Sequence, residues 1–169
     1  MEFLVIVHII GTVLGVGAAT FAEVYYIKFN QDNIVSDDER KTLATTYTIL
    51  RFGLFLVVVS GFGFFLNFRL TEHVGALMSP ALWAKMTLVV VLVVNAWLLQ
   101  VRKVPLAIGS AISLTSWYGA LVLGVIGRTL VTTYHASFVD IMLGYVAAIV
   151  LVGLALKWIR ARFRAPRPV

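Results

Sequence analysis

Residues 7–28 read VHIIGTVLGVGAATFAEVYYIK, a run that is apolar or small except for His8 near its start and Glu23 near its end. A helix of about 20 such residues crosses the hydrocarbon core of a bilayer. The rest of the chain repeats the pattern. Of 169 residues, 60% are hydrophobic and 13% charged, and the mean hydropathy is +0.95. A soluble domain of this length has no interior large enough to hide so much apolar surface. Five stretches have spanning length: 3–28, 45–66, 82–101, 106–128 and 138–158. Inside lipid every backbone N–H and C=O must be paired within the protein, which forces these spans into helices. A β-barrel would show short alternating segments instead. The expected fold is all-α, an integral membrane bundle of five transmembrane helices forming one domain over residues 1–160. A basic cytoplasmic tail over 161–169 follows it.

The chain has no cysteine, which excludes disulfide exchange, thiolate metal ligands and cysteine nucleophiles. It carries no nucleotide-binding glycine loop, HExxH or GxSxG pattern. The first charge is Glu2, and the long apolar run after it reads as a span rather than a signal peptide.

Charge sets the expected orientation. The side holding the 29–44 loop, the 102–105 turn and the C-terminus collects eleven of the fourteen lysines and arginines. The other side has Arg69, Lys85 and Arg128. By the positive-inside rule the N-terminus faces out and the C-terminus faces the cytoplasm, with the bacterial inner (plasma) membrane as the expected location. The net charge of +6 is then a topology signal, not a sign of nucleic acid. The tail KWIRARFRAPRPV would also favour anionic lipid.

Helix punctuation agrees with the spans. SDDE at 36–39 is a capping box that starts the second helix ahead of the membrane, and SFVD at 137–140 is a similar start for the fifth. Ser79-Pro80 and Pro105 open the third and fourth. Asp140 therefore has a structural role to fill.

Ionisable groups at membrane depth are the candidate functional residues. Glu23 and Arg51 sit near the inner ends of the first two helices and are expected to pair. The pair reads either as a clamp or as a proton or quinone-headgroup site. His8, Gly11, Gly15, Ala19, Ala22 and Tyr26 share one face of the first helix. A row of small residues at this spacing suits close helix packing. It also suits a trough for a flat cofactor, with His8 as the ligand at its lip. The fourth helix carries a second small-residue seam through Gly109, Ser113, Ser116, Ala120, Gly124 and Gly127, beside Trp117 and Tyr118. Lys85 lies one turn into the third helix, where it either snorkels outward or meets Asp140 or a ligand's acid group. His8, His73 and His135, with all four methionines, fall on the outer side, a set that suits copper.

A first helix beginning HII with small residues after it, and a third reading LWAKMTLVVVLVV, resemble the HemJ-type membrane proteins. The CopD-like copper-resistance membrane domains are similar in layout. The likeness covers at most residues 1–125. It implies a bundle that binds b-type haem and oxidises protoporphyrinogen. His8 then matches the first-helix histidine, and Lys85, two residues after Trp83, approximates the lysine heading the third helix. The leading expectation is a haem-b redox protein, either porphyrinogen-oxidase-like or coupled to quinone. The alternatives are copper handling, a small-solute transporter, and a cofactor-free structural or assembly subunit. Expected partners are the lipid bilayer, a quinone or porphyrin, and further copies or a larger membrane complex.

Overall fold

The computed structural model describes residues 1–29, 36–71 and 74–163. It is all-α among the described residues. The helices are α1 (Glu2–Phe29), α2 (Asp37–Leu70), α3 (Val74–Leu77), α4 (Pro80–Gln100), α5 (Leu106–Thr132) and α6 (Phe138–Phe163). All but the single turn α3 are long and apolar enough to cross a membrane, as the sequence pattern predicts. Their outward faces are apolar: Leu151 on α6 and Val125 on α5 are 67% and 76% exposed. In water such surface would be strongly unfavourable, and in lipid it is at home.

The punctuation residues act as expected at three of four starts. The Ser36 hydroxyl accepts from the Glu39 amide, and the Glu39 carboxylate accepts from the Ser36 amide at 2.8 Å. Ser137 and Asp140 form the same reciprocal pair, and the Ser137 hydroxyl also donates to Asp140 at 2.7 Å. Pro80 is the first residue of α4. Pro105 sits one position earlier than expected, as the residue before α5 rather than its first. α2 starts well ahead of the expected span, and α6 runs to Phe163, beyond the expected end at 158.

α1 and α2 form one antiparallel hairpin, α4 and α5 another, and α5 also touches α1 and α6. The α1–α2 contact is close because it is glycine on glycine. A Cβ on Gly53 would lie 2.8 Å from the Gly15 nitrogen and 2.9 Å from the Gly11 oxygen. Only glycine lets the two backbones approach this far. On its other side Gly15 receives the Trp117 ring from α5, which a Cβ would meet at about 2.1 Å. Trp117 is 1% exposed and joins Ala18, Ala19, Leu50, Leu54, Val57 and Leu92 in one buried cluster. Its indole N–H has no hydrogen-bond partner among the described residues. A second cluster gathers Ala84, Leu88, Leu123, Ile141 and Tyr145 between α4, α5 and α6.

Candidate functional site

The two ends of the bundle differ in chemistry. At the basic end, where α1 and α6 finish and α2 and α5 begin, Glu23 is buried at 4% exposure. Its partner is Arg160 of α6, not Arg51. Arg160 donates from Nε to Glu23 Oε1 at 2.8 Å and from Nη2 to Oε2 at 2.7 Å. It also donates from Nη1 to the Ala107 carbonyl at 2.9 Å and from Nη2 to the Ser110 hydroxyl at 2.7 Å. Its guanidinium lies 4.8 Å from the centre of the Tyr26 ring. One arginine thus ties α1, α5 and α6 together through a forked pair, the strongest geometry such a pair adopts.

The expected Glu23–Arg51 pair fails for two geometric reasons. The α1–α2 register sets His8 beside Ser60, Gly15 beside Gly53 and Leu4 beside Gly63. Glu23 therefore lies opposite about residue 45, and Arg51 is about 9 Å further along the helix axis. Glu23 is also rotated about 100° from Ala22, which faces the Arg51 side, and so points toward α5 and α6. Arg51 is exposed and has no ion pair among the described residues.

Arg51 instead lines a cavity of about 530 Å³ at the same end, between α1, α2, α4 and α5. Its walls are largely apolar, with Ala19, Ala22, Leu50, Ala96 and Leu99. Tyr47, Asn95 and Ser113 are set among them. Asn95 is 4% exposed and donates its amide to the Gly109 carbonyl across the helix gap at 2.8 Å. Its side-chain oxygen, the Tyr47 hydroxyl and the Ser113 hydroxyl have no hydrogen-bond partner among the described residues. Arg102 and Lys103, in the turn between α4 and α5, complete the rim.

At the other end His8 sits half-buried against α2. The Ser60 hydroxyl lies 2.6 Å from the Leu56 carbonyl and 2.9 Å from His8 Nδ1; with its single proton on the carbonyl, its oxygen can accept from Nδ1–H. The Phe64 ring meets the imidazole edge-on, 5.5 Å between centres. In the tautomer protonated at Nδ1 the lone pair is on Nε2, the form that suits an imidazole metal ligand. Gly11 and Gly15 do not form the expected trough. Their open side is filled by Gly53, Val57 and Trp117, so no flat ring fits against them, and the packing alternative accounts for the small-residue row. The second seam packs in part: Gly109 receives Leu99, and Gly127 faces Ala81, whereas Gly124 has nothing within 4 Å.

Lys85 is half-buried, with its stem 3.8 Å from the position of a Gly127 Cβ. It has no hydrogen bond or ion pair among the described residues, and Asp140 is engaged by Ser137. His135 is exposed in the turn before α6, at φ 52°. His73 lies outside the described residues. Among the described residues no three histidine or carboxylate side chains gather as a metal site.

Two residues of these polar contacts escape the sequence reading. Arg160 is one of eleven basic residues on its side and reads as a topology determinant. Ser60 is legible in principle, because antiparallel pairing of the first two spans sets His8 near it. No protein-family model, curated protein or solved structure matches this chain.

Proposed function

We propose that this chain is an integral membrane protein that binds a membrane-soluble amphiphile in the cavity at its basic end. The carrying observation is the placement of the Tyr47 and Ser113 hydroxyls and the Asn95 side-chain oxygen, without a hydrogen-bond partner among the described residues, in a largely apolar stretch of the cavity wall. A pocket lined this way holds the apolar body of a ligand while fixing its head. A quinone belongs to this class, so quinone-linked electron transfer is the form of the redox reading that the cavity supports. The excess of lysine and arginine at this end argues that it faces the cytoplasm.

The test is to purify the protein in mild detergent, extract it, and analyse the co-purifying molecules by mass spectrometry. An amphiphile near one per chain is expected. Ser113→Leu fills the cavity and should cut its occupancy at least about tenfold, while helicity holds. A bare wild-type protein, or equal occupancy in the variant, removes the reading.

A second reading is metal-linked redox chemistry at His8, favoured by the 2.9 Å contact between Nδ1 and the Ser60 hydroxyl, which can hold the tautomer that presents Nε2 as a donor. A haem or copper ion held there would supply one-electron chemistry. The role of this chain would be to fix the tautomer through Ser60 and to brace the ring on Phe64. Protein isolated with its haem supply intact should then show a Soret band that His8→Ala abolishes and Ser60→Ala shifts or weakens. A protein colourless after haem reconstitution, and without copper, sinks this second reading.

A further inference from the structure

We propose that the head of the cavity ligand is an anion of the phosphoryl class, held at the cavity mouth by Arg51, Arg102 and Lys103. This rests on the cavity reading above and narrows it. Three cations from two separate elements converge on one rim, Arg51 from α2 and the other two from the α4–α5 turn. Among the described residues no aspartate or glutamate lines the cavity. The nearby buried carboxylate, Glu23, is already occupied by both nitrogens of Arg160 that face it. The rim therefore carries positive charge that no described residue neutralises.

Backbone geometry adds to this field. α5 opens at the rim with Pro105 before it, and Pro105 supplies no side-chain cap. The amides of Leu106 and Ala107 precede the first hydrogen bonds of the helix, which run from Ile108 and Gly109 back to Pro105. Free amides at the start of a long helix attract anions. Arg102 sits at φ 55°, as the left-handed residue that ends α4 in a Schellman cap. It is held by the Arg102 and Lys103 amides bonding back to Leu99 and Leu98. This helix end leaves Arg102 and Lys103 side by side in the turn at the rim. Below the rim the apolar walls suit acyl chains, so a phospholipid with an anionic headgroup is the source that fills both parts.

The experiment uses the full chain in a neutral detergent and reads the melting temperature on titration with dioleoyl phosphatidylglycerol, dioleoyl phosphatidylcholine or inorganic phosphate. Phosphatidylglycerol should raise the midpoint by roughly 3 °C or more, and phosphatidylcholine should not. Arg51→Gln should weaken the apparent affinity about tenfold, and Arg102→Gln with Lys103→Gln by a further factor of that order. Ser113→Leu should abolish the lipid effect. Equal responses to the two lipids overturn the proposal, as does an undiminished phosphatidylglycerol response in Ser113→Leu, which would put the anion on the membrane surface. Inorganic phosphate acting as strongly as phosphatidylglycerol upholds the phosphoryl head and makes its source a soluble anion. If the charge variants change nothing while Ser113→Leu strips a neutral amphiphile, the anion is refuted and the cavity reading stands. Arg51→Gln alone carries the test where the multiple variant fails to fold.

Discussion

Arg160→Ala destabilises the folded bundle by about 3–5 kcal/mol, the cost of leaving a buried carboxylate without its counter-charge. Glu23 is 5% exposed at its side chain and Arg160 17%, so water replaces little of what is lost. The same substitution also strips the Ala107 carbonyl and the Ser110 hydroxyl of a donor. Glu23→Gln removes the charge with little change in shape and should cost a similar amount, because the guanidinium then stays buried with only neutral acceptors. The double change Glu23→Leu with Arg160→Met should recover much of the loss, since it removes both desolvated charges together. Arg51→Gln should stay within about 0.5 kcal/mol, as expected for an exposed residue without a partner. Unfolding in mixed micelles measures all four, and the single changes Glu23→Leu and Arg160→Met complete a double-mutant cycle with the double variant. Additive losses for Glu23 and Arg160, or a large loss at Arg51, would contradict the geometry.

The same pair shows where a sequence stops being readable. The five spans are set by composition and by backbone hydrogen bonding in lipid, both visible in single stretches. Their starts are set by local chemistry, and Ser36 with Glu39 and Ser137 with Asp140 are readable for that reason. Side-chain partners across the bundle depend on rotation and register, which no single stretch records. Glu23 and Arg51 have similar expected depth on adjacent helices, and that is too coarse a criterion. An offset of about 9 Å and a turn of one residue redirect Glu23 to the last helix. The glycine row has the same ambiguity at its root. A missing side chain provides room without saying what enters, and here α2 and Trp117 enter. The cavity was not legible at all, because Arg51, Asn95 and the α4–α5 turn converge only when two hairpins pack.

Gly15→Leu should be the most damaging single substitution in the α1–α2–α5 core. Its Cβ alone would fall about 2.1 Å from the Trp117 ring, far inside van der Waals contact, and the opposing Gly53 backbone blocks retreat on the other side. Overpacking a closed site costs about 1–3 kcal/mol where neighbours can shift, and more where they cannot. The neighbours here are a buried indole and a backbone, so a loss at or above the top of that range is expected. Trp117→Ala attacks the same contact from the other side, by opening a cavity, and should cost about 3–5 kcal/mol. The two defects are complementary in shape. Leucine at 15 can enter the space that the indole leaves, so the double variant should lose clearly less than the two single losses combined. Micelle unfolding and helicity supply the numbers. A trough built to seat a flat cofactor predicts otherwise: Gly15→Leu would leave the stability of the cofactor-free protein almost unchanged, and Trp117→Ala would not rescue it. Rescue marks Gly15 as the socket of Trp117, and near-neutral behaviour of Gly15→Leu would return the trough to consideration.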